Sequence, residues 1–465
     1  MEQPLYVQLI NHVLAGTAPE YFYEARSRIR AERSHLGQLI EQGERIYAVN
    51  SLTGHKDDVV LSPEEMEDFQ EILINNHHLP SVSFFDGFTG RCIAYLKTHQ
   101  VALGYTGISE ELYDVLLGAI AAPDFQPAIP KDASYSSGDV IPGAYLAKEL
   151  LNFAEREKLD FRLRPKDGIS LLNGNFVHLG SALALVPELK SHWLLSMASA
   201  VSNASLCQAN DTNYLSPFSK DANDPILAVA TAFKQEGRRP VQDPVSLRCM
   251  PQNLTAFYRG LEHWYGALEM ELHRYSDNPL IVPGFDFAIS QGSFVATDLS
   301  LATGQIIENL LLLAWQVCER NKYLLSGKVA GVPEDAAIGA SDLGLIQVPK
   351  LMQATLESMR MQLGRRTFAS GSQTSGGTED FWSYGTLLNQ QLTAGLEFYR
   401  RILNLEGATH LYVAANLGRP GFYTADQFNP GEKITFTQAY DHFTGLTQSE
   451  ISDWQKSHWQ FPEPQ

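Results

Sequence analysis

The sequence predicts a mainly α-helical protein, a long-helix bundle with a loop-rich N-terminal part. Apolar residues recur at spacings of three and four over long spans, and alternating strand-like patterns are short and rare. Glycine and proline punctuate the chain without forming a hinge-like tract, and no internal repeat or low-complexity linker interrupts it.

The clearest stripe is Leu254, Phe257, Leu261, Trp264, Leu268 and Leu272, one face of a helix. A second runs from about Leu301 to Leu325, with Ile306, Leu310, Leu313, Val317 and Tyr323 in step, and a third from about Leu387 to Leu405. A further helical run through Ala144, Leu146, Leu150 and Leu151 follows Asp139. Long helices with few strands shield one another's apolar stripes, which is why a bundle is expected. Length alone suggests roughly two to four domains. The division expected here is an N-terminal region, 1–190, and a helix bundle with the C-terminal region, 191–465, acting as one cooperative unit.

Of the 465 residues, 44% are hydrophobic and 19% charged, ample material for a large core. A formal charge of −18 and a pI near 5.2 speak against a nucleic-acid partner, which needs clustered positive charge. The longest basic runs are the pairs Arg238-Arg239 and Arg365-Arg366. Met1-Glu2-Gln3-Pro4 shows no secretory pattern, and the leucine run from Leu310 to Leu313 is too short to cross a bilayer. A soluble, cytoplasmic protein without a membrane partner is expected. Cys92, Cys207, Cys249 and Cys318 are widely separated, so buried reduced thiols and no metal site are expected.

Segments rich in Gly, Ser, Asn and Asp break the helical pattern at Tyr47 to Gly54, Ala133 to Gly143, Leu171 to Phe176, Val241 to Gln252, Ser276 to Phe294 and Thr374 to Gly385. Chemistry on a helical scaffold is usually placed in such loops, and plain connection is the alternative for each. The most informative is Ala133-Ser134-Tyr135-Ser136-Ser137-Gly138-Asp139. Taken alone, small residues before a helix are a cap, with Asp139 suited to that task.

The segment keeps company, however. Ile129-Pro130 precedes it; Tyr47-Ala48-Val49-Asn50 with Gly54, Leu171-Leu172-Asn173-Gly174, Gln242-Asp243-Pro244-Val245-Ser246-Leu247-Arg248-Cys249, Ser276-Asp277-Asn278-Pro279-Leu280, Gly292-Ser293-Phe294, and Thr374-Ser375 with Glu379-Asp380 accompany it. In this order, over roughly residues 45 to 385, the motifs resemble those of the histidine/phenylalanine/tyrosine ammonia-lyase family.

The resemblance implies the helical lyase fold, a homotetramer with active sites built from more than one chain, and a 4-methylidene-imidazol-5-one (MIO) ring condensed from Ser136-Ser137-Gly138. In that chemistry the Gly138 amide nitrogen attacks the Ser136 carbonyl, and Ser137 becomes an exocyclic methylene. Glycine permits the close backbone approach. The resemblance further implies Tyr47 as the base for the substrate β-proton, Asn173 and Gln242 as hydrogen-bonding partners of ring and carboxylate, Arg248 as the carboxylate clamp, Phe294 as a cover, and Glu379 facing the substrate. Each has a plainer alternative: Tyr47 as a hydrogen-bonded buried phenol, Asn173 as a left-handed turn residue, Arg248 as a surface ion-pair partner.

Asn76-His77 falls where the family reads the side chain and favours histidine as substrate, giving urocanate; the neighbouring His78-Leu79 resembles the pair of tyrosine-specific members. A tyrosine or phenylalanine ammonia-lyase giving a cinnamate is thus the alternative. The chain departs from the family pattern at Val245, where tyrosine is usual, at Ser136, where alanine is usual, and at Tyr135, where a small residue is common. Those departures keep open a 2,3-aminomutase and, from a different class, a catalytically impaired binding or scaffold protein.

Overall fold

The computed structural model describes residues 3–214, 242–364, 373–419 and 433–445. The Arg238-Arg239 and Arg365-Arg366 pairs and Val241 lie outside the described residues. Fifteen α-helices follow in chain order among the described residues: α1 Leu5–Ala15, α2 Glu20–Glu24, α3 Arg26–Glu41, α4 Pro63–His77, α5 Gly87–Leu103, α6 Glu110–Ala121, α7 Val140–Arg156, α8 Asp167–Leu172, α9 Phe176–Leu206, α10 Val245–Arg248, α11 Met250–Leu272, α12 Thr297–Leu324, α13 Val348–Leu363, α14 Gly385–Leu417 and α15 Phe436–Gly445. Extended pairing among those residues is limited to isolated bridges, such as Phe84 with Pro130 and Ser51 with Val60. The mainly α class expected from periodicity is the class observed.

Local chemistry sets several helix starts. Ser62 and Glu65 form a reciprocal capping box, with Pro63 at the first helical position of α4, where its missing N–H costs nothing. Asp86 accepts the Thr89 N–H at 2.7 Å to start α5, and Ser109 accepts the Leu112 N–H to start α6, whose first turn carries Glu110 and Glu111 at the positive end of the dipole.

Two compact units emerge, each discontinuous in sequence: Met1–Val186 with Tyr265–Thr303 and Thr367–Gln390, and Pro187–Trp264 with Gly304–Arg366 and Gln391–Gln465. In the first, α4, α7 and α8 pack together and α5 lies against α1, α2 and α6. Helix α5 is buried all round from Thr89 to Ala102. Its polar residues are therefore bonded: Arg91 donates to the carbonyls of Ile120, Ala122 and Phe125, and His99 lies between the Tyr21 hydroxyl and the Leu272 carbonyl.

In the second unit, Leu254, Phe257, Leu261 and Trp264 of the predicted stripe are buried, as are Ile306, Leu310, Leu313 and Val317 of α12. Tyr323 is only half-buried, and Leu312 and Trp315 face outward. Arg320 forks onto Glu406 at 2.7 and 2.5 Å; Ser199 and Asn203 also donate to that carboxylate, so a fully buried pair has its lone pairs used. Cys92, Cys207 and Cys318 are buried free thiols, whereas Cys249 is half-buried, at the end of α10 where Gln316 reaches its sulfur.

The run Leu310 to Leu313 belongs to a helix that does have the length for a bilayer. By length and composition alone, Asp167–Leu206 and Thr297–Leu324 are long and apolar enough to cross a membrane; 94% and 61% of their apolar windows are buried within the protein, as in core helices.

Candidate active site

Segment 133–139 leaves the Phe84–Pro130 bridge, where Phe85 N–H donates to the Ile129 carbonyl and Lys131 N–H to that of Ser83. It then takes three left-handed residues, Ser136 at φ +64°, Gly138 at +89° and Asp139 at +51°. Only glycine enters that region at little cost. At Gly138 a Cβ would in addition stand 2.8 Å from Asn173 Oδ1, so that amide, tied to Gly174 and Asn278, would have to shift. Ser137 is half-buried, whereas Ser136 and Gly138 on either side are buried.

Asp139 precedes α7, yet its side chain does not cap that helix. Its carboxylate instead takes the Ser134 hydroxyl at 2.5 Å and the His178 N–H in the first turn of α9 at 3.3 Å. The plain-cap expectation for Asp139 is corrected: a left-handed residue points its carboxylate away from its own helix, toward orphan donors of another. Burial pushes its pKa up to about 6, against the donors that favour its charge.

Asn173 ends α8 in extended conformation, φ −92°. The left-handed turn considered for it belongs to Gly174, φ +130°. Asn173 Oδ1 accepts the Gly174 N–H at 2.9 Å, its Nδ2 donates to the Asn278 carbonyl at 3.0 Å, and its own carbonyl accepts from Lys97 Nζ at 2.8 Å. Lys97 is fully buried on α5 and donates also to Gln100 and the Ser170 carbonyl; burial lowers its pKa to about 7. Behind it, Lys166 and Asp277 form a buried pair at 2.8 Å, with Ser170 donating to the same carboxylate oxygen at 2.7 Å. Asn278 Oδ1 accepts the Gln291 N–H at 2.9 Å, and Gln291 Oε1 takes the Ser293 N–H, which sets the approach to a half-buried Phe294.

Tyr47 is half-buried, and its phenol oxygen accepts the Gly54 N–H at 3.0 Å. Burial raises its pKa and the negative fields of Glu379 and Asp57 add to the rise, while the Gly54 donor opposes it. The Tyr47 loop lies against the 374–379 segment, where a Cβ at Gly54 would stand 3.4 Å from Ser375 Cβ. Glu379 is engaged from segment 133–139: Tyr135 donates its hydroxyl to Glu379 Oε2 at 2.8 Å and lies 3.0 Å from the Thr374 hydroxyl, while its ring rests 4.5 Å from that of Trp382. Tyr47, Asn173, Glu379 and residues 136–138 thus share the first unit.

Asn76 is exposed near the end of α4, and the His77 ring is tied to its own helix through the Leu73 carbonyl at 2.7 Å. His78 and Leu79 meet Tyr145 of α7, the His78 ring lying 4.1 Å from that of Tyr145, whose hydroxyl donates to the Leu79 carbonyl.

In the second unit, with the Gln242 amide turned so that its oxygen faces the guanidinium, Arg248 Nη2 and Nη1 donate to that oxygen at 2.6 and 3.3 Å, and Arg248 Nε is buried without a partner among the described residues. Asp243 is buried and accepts from Asn210 N–H and Asn213 Nδ2, which anchors the loop before α10. Val245 is 63% exposed.

Three residues next to the segment escaped the sequence reading. Lys97 was legible only as a cation on an otherwise uncharged stretch of α5; Ser383 and Thr386, at and just past the end of the Thr374 to Gly385 loop, reach Ser136 and no pattern marks them.

A family profile described as aromatic amino acid lyase matches residues 7–420. The chain is 24% identical to a histidine ammonia-lyase of Idiomarina loihiensis, over 87% of this chain and 88% of that one. In fold it is similar to a tyrosine aminomutase from Streptomyces globisporus, with a TM-score of 0.86, 17% identity, and 98% of each chain covered. It is likewise similar to a histidine ammonia-lyase from Trypanosoma cruzi, with a TM-score of 0.82, 19% identity, and 97% and 93% covered. A match that takes in nearly the whole chain, with the fold those structures share, makes this protein an enzyme of the aromatic amino acid lyase family.

Proposed function

We propose that this protein is an ammonia-lyase that eliminates ammonia from an aromatic L-amino acid, L-histidine first, using a ring closed from Ser136, Ser137 and Gly138. The observation that carries this reading is the close approach of Asn173 Oδ1 to Gly138, 2.8 Å from where a Cβ would stand, beside a half-buried Ser137 flanked by buried neighbours. The cradle suits a five-membered ring there: a Cβ at residue 138 would force Asn173 to shift, and Ser137 is left half-exposed. When formed, that ring supplies an electrophilic methylene that withdraws electrons from a substrate whose β-proton is otherwise hardly acidic.

Tyr47 is proposed to take the β-proton as its phenolate. The Gly54 N–H stabilises that form, and burial with Glu379 opposes it. Asn173 holds its amide toward the ring while its other bonds fix it between Gly174, Asn278 and Lys97. Arg248 is proposed to bind the substrate carboxylate in bidentate fashion with Gln242 orienting its fork, and Phe294 to cover the bound amino acid. A homotetramer and a cytoplasmic setting belong to the same reading, with Leu312 and Trp315 among the outward apolar groups an assembly would bury.

Histidine is supported by the histidine ammonia-lyase the chain resembles in sequence and, by their place in the motif order alone, by Asn76-His77, whose side chains lie exposed or tied to Leu73. Tyrosine is the second reading, favoured by the packing of His78 and Leu79 on Tyr145. Incubating the purified full chain with L-histidine, L-tyrosine and L-phenylalanine decides: ultraviolet absorbance of urocanate or of a cinnamate, with ammonia released, is expected and is lost in Ser137→Ala. A β-amino acid without net ammonia would mean an aminomutase. A protein of unmodified mass and no turnover would leave a scaffold.

A further inference from the structure

We propose that Ser383 and Thr386 drive closure of the ring itself, Ser383 as a donor at the carbonyl oxygen that must leave and Thr386 as the residue that positions Ser136. The inference rests on the ring-forming reading above and concerns how the chain makes its electrophile.

Ser136 holds a left-handed backbone that a residue with a Cβ rarely adopts. Three bonds keep it there. Ser134 Oγ accepts the Ser136 N–H at 2.9 Å, Ser136 Oγ accepts the Thr386 N–H at 2.8 Å, and the same Ser136 hydroxyl donates to Thr386 Oγ1 at 3.0 Å. The Thr386 N–H belongs to the first turn of α14, so it has no partner within that helix. Ser136 fills that vacancy, which gives a chemical reason for serine where the resemblance leads one to expect alanine. Both residues are buried, so water does not compete for the bonds.

With Ser136 so held, its carbonyl oxygen faces two donors on one residue, the Ser383 N–H and the Ser383 hydroxyl, each at 3.5 Å. Those bonds are loose for a neutral carbonyl and are placed where charge develops when the carbonyl is attacked, so they can tighten as the reaction proceeds. In the first step the Gly138 amide nitrogen bonds to the Ser136 carbonyl carbon. The carbonyl oxygen then departs as water, taking the Gly138 amide proton and the Ser137 amide proton, and a carbon–nitrogen double bond forms between residues 136 and 137. A second water carries off the Ser137 hydroxyl and its α-proton, leaving the methylene. No oxidant or other co-reactant is consumed.

The test follows the mass of the tryptic peptide Asp132–Lys148 with time after synthesis of the full chain in a cell-free system. Wild type is expected to lose about 36 Da, two waters of backbone condensation. Ser383→Ala is expected to slow that loss roughly a hundredfold to a thousandfold, by analogy with removal of one oxyanion donor, and Ser383→Thr to restore it. Thr386→Val, which leaves both Ser383 donors in place, is expected to slow the loss several-fold, and it decides the matter should Ser383→Ala fail to unfold cooperatively. Loss at the wild-type rate in either folded variant overturns the proposal and leaves the ring-forming reading intact. A wild-type peptide that never loses the mass removes that reading, and this inference with it.

Discussion

Tyr135 donates its phenol hydroxyl to Glu379 Oε2 at 2.8 Å, and Thr374 donates to the same oxygen at 2.8 Å. A carboxylate with both donors on one oxygen has that much less capacity to grip the polar edge of a bound side chain. Removing the Tyr135 hydroxyl while keeping its ring against Trp382 is therefore expected to alter selectivity. Tyr135→Phe should raise kcat/KM for L-histidine relative to L-phenylalanine by roughly five- to tenfold, the worth of one net hydrogen bond. Steady-state kinetics on both substrates check this; an unchanged ratio would show that Glu379 does not read the side chain.

The Tyr47 phenol is held above its ordinary pKa by burial first and by Glu379 and Asp57 after it. A base that works as its anion gains activity as pH rises, so kcat/KM is expected to climb on an alkaline limb centred above the usual tyrosine value of about 10. Glu379→Gln removes one of the raising charges, and its limb should move to lower pH. Tyr47→Phe should lose turnover by at least about a hundredfold, the typical worth of a positioned base, while its 132–148 peptide still shows the condensed mass.

Within the first unit, Lys166 and Asp277 are both buried, and Ser170 shares the Asp277 oxygen. Removing one partner strands the other charge in an apolar setting. Asp277→Ala is expected to lower unfolding stability by about 3–5 kcal/mol, and the double variant Lys166→Met with Asp277→Leu to recover most of it. Denaturant titration of the three proteins checks the order; equal loss in the single and double variants would contradict it.

Among the described residues His178 is fully buried with both ring nitrogens unpartnered, and burial lowers its pKa from its ordinary 6.5 to about 3. The unfolded chain thus binds its proton first as pH falls. Stability contributed by the neutral ring is complete above 6.5 and is lost progressively toward about 3. Asp139 works in the opposite sense, because its raised pKa makes stability fall as pH rises from 3.8 to about 6. His178→Phe keeps a ring against Gly385 and removes the titration, so the variant should lose less stability on acidification than wild type, taking up roughly one proton fewer on unfolding. Parallel stability curves for the two proteins would refute this.

The long stripes were legible because burial of one helical face imposes a period the chain must carry: Leu254, Phe257, Leu261 and Trp264 sit inside as their spacing required. Four of the borders between the two units were not, since Val186–Pro187, Trp264–Tyr265, Thr303–Gly304 and Gln390–Gln391 fall inside helices and leave no linker to read; the fifth, at Arg366–Thr367, lies outside the described residues. Tyr47, Asn173 and Gly138 could be singled out because each lies in a short motif that resembles the family's, in the family's order. Lys97, Ser383 and Thr386 could not, because they act through backbone carbonyls and amides, groups every residue has. The His78 contact with Tyr145 shows a subtler loss: at the end of a helix, one step along the chain turns a side chain by about a hundred degrees, so neighbouring histidines meet different surroundings.

The bond from the Thr386 amide to the Ser136 hydroxyl spans 250 positions of chain. A ribosome that has finished residues 136–138 must still translate more than half of the protein before their partner emerges. If that contact is what permits condensation, the nascent polypeptide carries only inert serines past chaperones and cellular thiols, and the reactive centre is born no sooner than the fold that shelters it.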